Sequence, residues 1–182
     1  KWIDKYGWMS PRKLYFNQII GHRWLANVDI PDLELFPKRY GPLKTVNFQA
    51  GLELTFLHFS MLLMAQLAKI GLLKDWSILT KPIFKTSEIF KSLGTDIGGM
   101  QVNLIGLDTH KKYKKIKWVL CAENGVGPYI PIISAIILAK KLINGTLNIR
   151  GAMPCLGMYS LEEFDSETSS LGIYHQTEYY IG

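Results

Sequence analysis

The stretch that most limits the fold is Glu123-Asn124-Gly125-Val126-Gly127-Pro128-Tyr129-Ile130-Pro131 and the apolar run behind it. Residues 128–143 spell a helix that is apolar nearly all round, with Ser134 the one polar interruption before Lys140 and Lys141. Such a rod must be covered on several sides by other layers. The two lysines suit the negative end of the helix dipole, and Asn144-Gly145 ends the helix. Ahead of the turn, residues 100–108 and 116–121 alternate as two strands around a lysine-rich tip, which predicts a hairpin. Met100, Val102 and Leu104 share one face of the first strand; Ile116, Trp118 and Leu120 share one face of the second.

The remaining elements follow from punctuation and period. Residues 13–20 read as a strand broken by Gly21. Residues 22–30 form a second extended run closed by Pro31. Residues 32–40 read as a loop or short helical turn containing Pro37. Residues 43–50 alternate with Val46, Phe48 and Ala50 on one side. Gly51 then leads into a long helix that ends near Gly71, within an apolar run over residues 52–73. One or two shorter helices fill residues 75–93, with Thr80 as N-cap and Pro82 in the first turn. Leu147 and Ile149 suggest a further strand. Ser160 and Glu163 resemble a capping box before a short helix at 161–164, and residues 172–181 alternate as a last strand. The fold class is therefore α+β: a mixed, largely antiparallel sheet with helices packed on one face, in a single domain over residues 1–182.

Composition narrows the function classes. Much of the net charge of +6 sits in residues 110–117. That is one short run with a single tyrosine, so it reads as a solvated hairpin tip and not as a nucleic-acid surface. The long helix at 52–73 carries Thr55, His58, Gln66 and Lys69 in one polar stripe on a mostly buried helix. This argues against a membrane span. Cys121 and Cys155 match no metal spacing and form no CxxC, which with no visible signal peptide predicts a reduced, cytoplasmic chain. Asn144-Gly145-Thr146 has no secretory context and reads as the helix stop. The chain opens on Lys1 and not on Met, which leads us to expect a preceding segment.

Three loops are candidates for chemistry. The Gly125-Val126-Gly127 turn approaches the spacing of a dinucleotide fingerprint but departs from it. Ile130 stands where a third glycine belongs, Pro128 and Pro131 lack N–H donors, and no acidic residue follows about twenty positions on. The turn then either faces a ligand carboxylate or serves tight packing. In residues 24–40, Asp29 and Asp32 could meet a cationic group, and Lys38 and Arg39 a carboxylate; the alternative is an ion-paired surface loop. In residues 150–157, Cys155 has no base near it in sequence and reads as a small packed residue.

Gly127-Pro128-Tyr129-Ile130-Pro131, Ala139-Lys140-Lys141-Leu142, Gly151-Ala152-Met153-Pro154-Cys155-Leu156-Gly157 and Leu161-Glu162-Glu163-Phe164, in this order, resemble the C-terminal portion of saccharopine-dehydrogenase-like proteins, and Val28-Asp29-Ile30-Pro31-Asp32 and Phe36-Pro37-Lys38-Arg39-Tyr40 resemble an earlier part of the same family. The resemblance spans roughly residues 21–165. It implies a substrate-side and pairing domain like the C-terminal domain of glyceraldehyde-3-phosphate dehydrogenase. In the full-length parent an N-terminal Rossmann domain would bind NAD(P), and the chemistry would be hydride transfer at the C–N bond of an amino-acid or polyamine adduct. No cofactor site is expected in these residues, and the domain alone is expected to be inactive. For an amino-acid-like substrate, Arg23, Arg39 and Arg150, three of the four arginines, are the first candidates for the carboxylate. Asp29, Glu123 and Tyr129 are candidates for the amine. The expected assembly is a homodimer. The alternative is a dimerisation or scaffold module without catalysis.

Overall fold

In the computed structural model, which describes residues 3–72 and 75–181, the contacts cluster into two compact units, Lys1–Thr95 and Asp96–Gly182. The sequence pattern predicts one domain with one mixed, largely antiparallel sheet. The described residues instead form two separate three-stranded sheets, each wholly antiparallel. The α+β class stands.

The first unit orders β1 (Arg12–Tyr15), β2 (His22–Asn27) and β3 (Gln49–Ala50) side by side. β1 stops at Tyr15, short of Ile20, because Asn17 folds the chain back. Its Oδ1 accepts from the amides of Ile19 at 3.1 Å and Ile20 at 2.8 Å, an Asx turn closed by Gly21 at φ 68°. Of the expected strand at 43–50, only Gln49 and Ala50 pair with β2. There the strands pass closely: a Cβ on Gly51 would lie 1.9 Å from the Trp24 carbonyl oxygen, so no other residue fits. Residues 32–40, expected as a loop or a short turn, are a nine-residue helix, α1 (Asp32–Tyr40). Its acidic first turn and basic last turn complement the helix dipole.

Then comes α2 (Thr55–Lys69), followed by α3 (Thr80–Phe90). The helix predicted to end near Gly71 stops at Lys69, and Leu73 of the apolar run lies outside the described residues. Thr80 does not cap α3; it is the first helical residue, behind Leu79. The polar stripe of α2 is also redrawn. Thr55, Gln66 and Lys69 are exposed, but His58 is fully buried and is the one buried residue of this helix.

The second unit is better matched to its sequence. β4 (Gly98–Leu107), β5 (Tyr113–Ala122) and β6 (Ile173–Ile181) form a meander in the order β4-β5-β6. The β4–β5 tip is organised by Asp108, whose carboxylate accepts from the amides of His110 at 2.8 Å and Lys112 at 2.9 Å. Two helices, α4 (Ile130–Ile143) and α5 (Leu161–Thr168), cover one face. Leu120, Ala122 and Ile173 of the sheet meet Ile133 and Ile137 of α4 and Phe164 of α5 in one core. α4 is covered along this stripe alone; Ile132, Ile136 and Ile143 remain exposed, contrary to the expected all-round cover.

The strand expected around Leu147 does not form. The amides of Thr146 and Leu147 are spent on the Lys141 carbonyl at 2.9 and 3.2 Å, closing the end of α4 behind Gly145 at φ 67°. The Ser160–Glu163 capping box is present in both directions. Lys140 and Lys141 reach Glu167 and Glu163 of α5 at 2.5 and 2.7 Å.

Candidate functional site

The strand pairing of the second unit sets its site. Successive residues of β5 alternate faces, so Trp118, Leu120 and Ala122 turn to the helices while Lys117, Val119 and Cys121 turn away. Each has fixed cross-strand neighbours: Lys117 lies beside Asn103 and Glu178, Val119 beside Gln101 and Gln176, Cys121 beside Gly99 and Tyr174. This second face is therefore lined by polar groups. Lys117 is 8% exposed and its ammonium lies 3.4 Å from Glu178. Glu178 also accepts from the Tyr180 hydroxyl, and the Lys115 ammonium stands 5.2 Å from the Tyr180 ring centre.

At the end of β5 this face meets the glycine turn. Tyr174 donates from its hydroxyl to Glu123 Oε1 at 2.7 Å, and its register partner Cys121 lies beside it, buried. The Cys121 sulfur, and then the Glu123 carboxylate, raise the Tyr174 phenol well above its ordinary range. Tyr174 therefore keeps its proton and acts as a donor, not as a base. Its bond orients Glu123 and leaves the second carboxylate oxygen available to a cationic nitrogen.

The turn itself is committed to packing. The amides of Glu123, Gly125, Val126 and Tyr129 bond the carbonyls of Gly172, Asp96, Glu123 and Val126 at 2.8–3.2 Å. Asn124 and Gly125 hold positive φ, 56° and 70°, which makes the turn sharp enough to do this. A Cβ on Gly172 would meet the Asn124 side-chain Nδ2 at 3.2 Å. Those four donors are used internally and are not free to cradle a phosphate. Of the two readings left open by the sequence, the backbone follows packing, and the chemistry passes to the Glu123 side chain.

The six predicted site residues fall in both units. Arg23, Asp29 and Arg39 lie in the first. Arg23 is held by Glu53 at 3.4 Å and by the His22 carbonyl at 3.2 Å. Asp29 is exposed and lines a shallow hollow with Ile30, Pro31, Glu34 and Leu35. Arg39 is exposed in the last turn of α1, its guanidinium 5.8 Å from the Tyr40 ring centre. Glu123, Tyr129 and Arg150 lie in the second unit. Tyr129 ends the turn that Glu123 opens and is 54% exposed; Arg150 is exposed beyond α4. Nothing in the sequence marks Tyr174, or joins Cys121 to it, as part of a site. Strand alternation carried their faces, but their pairing with Glu123 depends on the β5–β6 register.

The fold defines an α+β chain of two antiparallel units. Comparison with known proteins places it no further: no family model, curated protein or solved structure matches this sequence. Among the described residues, no helix is long and apolar enough to cross a membrane.

Proposed function

We propose that this chain is the substrate-side domain of a saccharopine-dehydrogenase-like, NAD(P)-dependent oxidoreductase acting at the C–N bond of an amino-acid or polyamine adduct. The likeness to the glyceraldehyde-3-phosphate dehydrogenase C-terminal domain, the homodimer and the cytoplasmic setting belong to the same proposal. The ordered motifs support it, and the observation that carries it is the Tyr174–Glu123 hydrogen bond at 2.7 Å beside the glycine turn. Glu123 receives the cationic nitrogen, and Tyr174 holds that carboxylate in place. A nicotinamide bound by another domain of the full-length parent would supply the hydride chemistry.

The test is to express the chain joined to its natural upstream coding region. Nicotinamide absorbance is then followed with secondary-amine adducts of amino acids and polyamines. Glu123→Gln should raise KM by roughly ten- to a hundredfold, the loss of one charge-assisted hydrogen bond worth about 1.5–3 kcal/mol. Turnover that ignores Glu123→Gln removes it from the site, and unchanged kinetics in Arg39→Ala and Arg150→Ala remove those two. No nicotinamide turnover with any such adduct overturns the proposal in favour of a scaffold module.

A further inference from the structure

β4 is the outer strand of its sheet, bonded on one side to β5 and, among the described residues, to no strand on the other. Ten residues long, it reads Gly-Gly-Met-Gln-Val-Asn-Leu-Ile-Gly-Leu. It contains none of the usual protections of a free edge: no charge, no proline, and residues 102–107 are all exposed. Its own outer row of N–H and C=O groups is therefore open to another strand.

The sequence of β4 also says which strand fits. Let a second copy pair antiparallel with Val102 on the two-fold axis. Gln101 then faces the partner's Asn103, Met100 the partner's Leu104, Gly99 the partner's Ile105 and Gly98 the partner's Gly106. Every residue meets one from the same face of its sheet, because the offset keeps odd positions opposite odd ones. Carboxamide meets carboxamide; within one chain Gln101 already donates to Asn103 at 3.1 Å. Apolar meets apolar, covering Met100, Val102 and Leu104, which are 43%, 39% and 59% exposed. A shift by one residue would set the polar face against the apolar one. With no charge along the strand, nothing repels its copy.

We propose that β4 is a self-recognition edge, pairing two copies of this chain about Val102 into one continuous six-stranded antiparallel sheet. The pairing is isologous, as a closed dimer requires. It rests on the homodimer of the proposed function and names its interface; the chemistry at Glu123 does not depend on it, and a dimer indifferent to β4 would remove this edge while leaving the homodimer standing.

Sedimentation equilibrium of the whole chain over a concentration series should show a monomer–dimer equilibrium. Val102→Lys sets two like charges against each other across the axis and should weaken the dimer about tenfold. A second variant does not rely on disruption. In a Cys155→Ser background, Val102→Cys places two thiols on directly opposed residues, whose Cα atoms lie about 4.5–5.5 Å apart in such pairs. That spacing is within disulfide reach. Copper–phenanthroline oxidation should give a covalent dimer with Val102→Cys and far less with Leu104→Cys, whose register partner is Met100. A strict monomer, a dimer indifferent to Val102→Lys, or equal cross-linking of the two cysteine variants would each overturn the proposal.

Discussion

His58 offers the sharpest test of the physical reasoning. Its ring is fully buried, edge-on to Trp8 at 5.4 Å and Phe59 at 5.7 Å, and neither ring nitrogen has a hydrogen-bond partner. A neutral imidazole has one donor and one acceptor, so both are desolvated without return. Each such group costs about 1–3 kcal/mol. His58→Phe keeps a flat ring in the same aromatic contacts and removes both costs, about 2–6 kcal/mol together; packing the larger ring takes back about 1–3 kcal/mol, so the first unit should gain about 1–3 kcal/mol at neutral pH. The pH dependence is the more selective reading. Burial lowers the His58 pKa from its ordinary 6.5. Below that value the unfolded chain takes up a proton that the folded chain refuses, so stability falls as pH falls until the depressed folded value is reached. One proton sets a ceiling of about 1.4 kcal/mol per pH unit on this slope. Carboxylates whose pKa is lowered, such as Glu163 and Glu178, lose their contribution only below the ordinary value of 4.5 and leave this window clear. Urea unfolding from about pH 8 to pH 5, followed by tryptophan fluorescence and circular dichroism, should show a shallower slope in His58→Phe than in the parent. Equal slopes, or a His58→Phe protein less stable at neutral pH, would show that His58 has a partner and refute the argument.

Other expectations are smaller. In a ring-labelled NMR titration, Tyr174 should ionise later than an ordinary tyrosine, and Glu123→Gln should bring it only part of the way back, since Cys121 is the larger cause. Ser160→Ala removes the cap that accepts from the Glu163 amide at 3.3 Å. It should lower the stability of the second unit by about 0.5–2 kcal/mol, read as a shifted denaturant midpoint at unchanged m-value.

How far the chain could be read depended on whether a residue's role was local. The β4–β5 hairpin, β6 and the Ser160 capping box rest on alternation or on contacts three residues apart, and their signals survive in one dimension. The residues 43–50 alternate equally well, yet only Gln49 and Ala50 find a partner, because strand identity needs a neighbour as well as a period. Leu147 and Ile149 have strand-like spacing, but the end of α4 claims the Leu147 amide first. His58 was placed on a polar face by helical geometry. Which face of α2 is covered is decided by Trp8, fifty residues earlier in the chain and invisible to any local pattern. The same holds for Glu123: its residue type marked it, but its partner Tyr174 is set by register over fifty-one positions. The division into two units has no punctuation of its own; Gly94-Thr95-Asp96 looks like any other helix stop.

The two thiols differ in one practical respect. Cys121 is buried within β5 while Cys155 is exposed. A maleimide dye added to the native fold should couple at a single address, the loop ahead of α5, and become stoichiometrically double only when the second unit opens. Labelling kinetics then serve as a clock for local opening of that sheet, with no engineered residue at all.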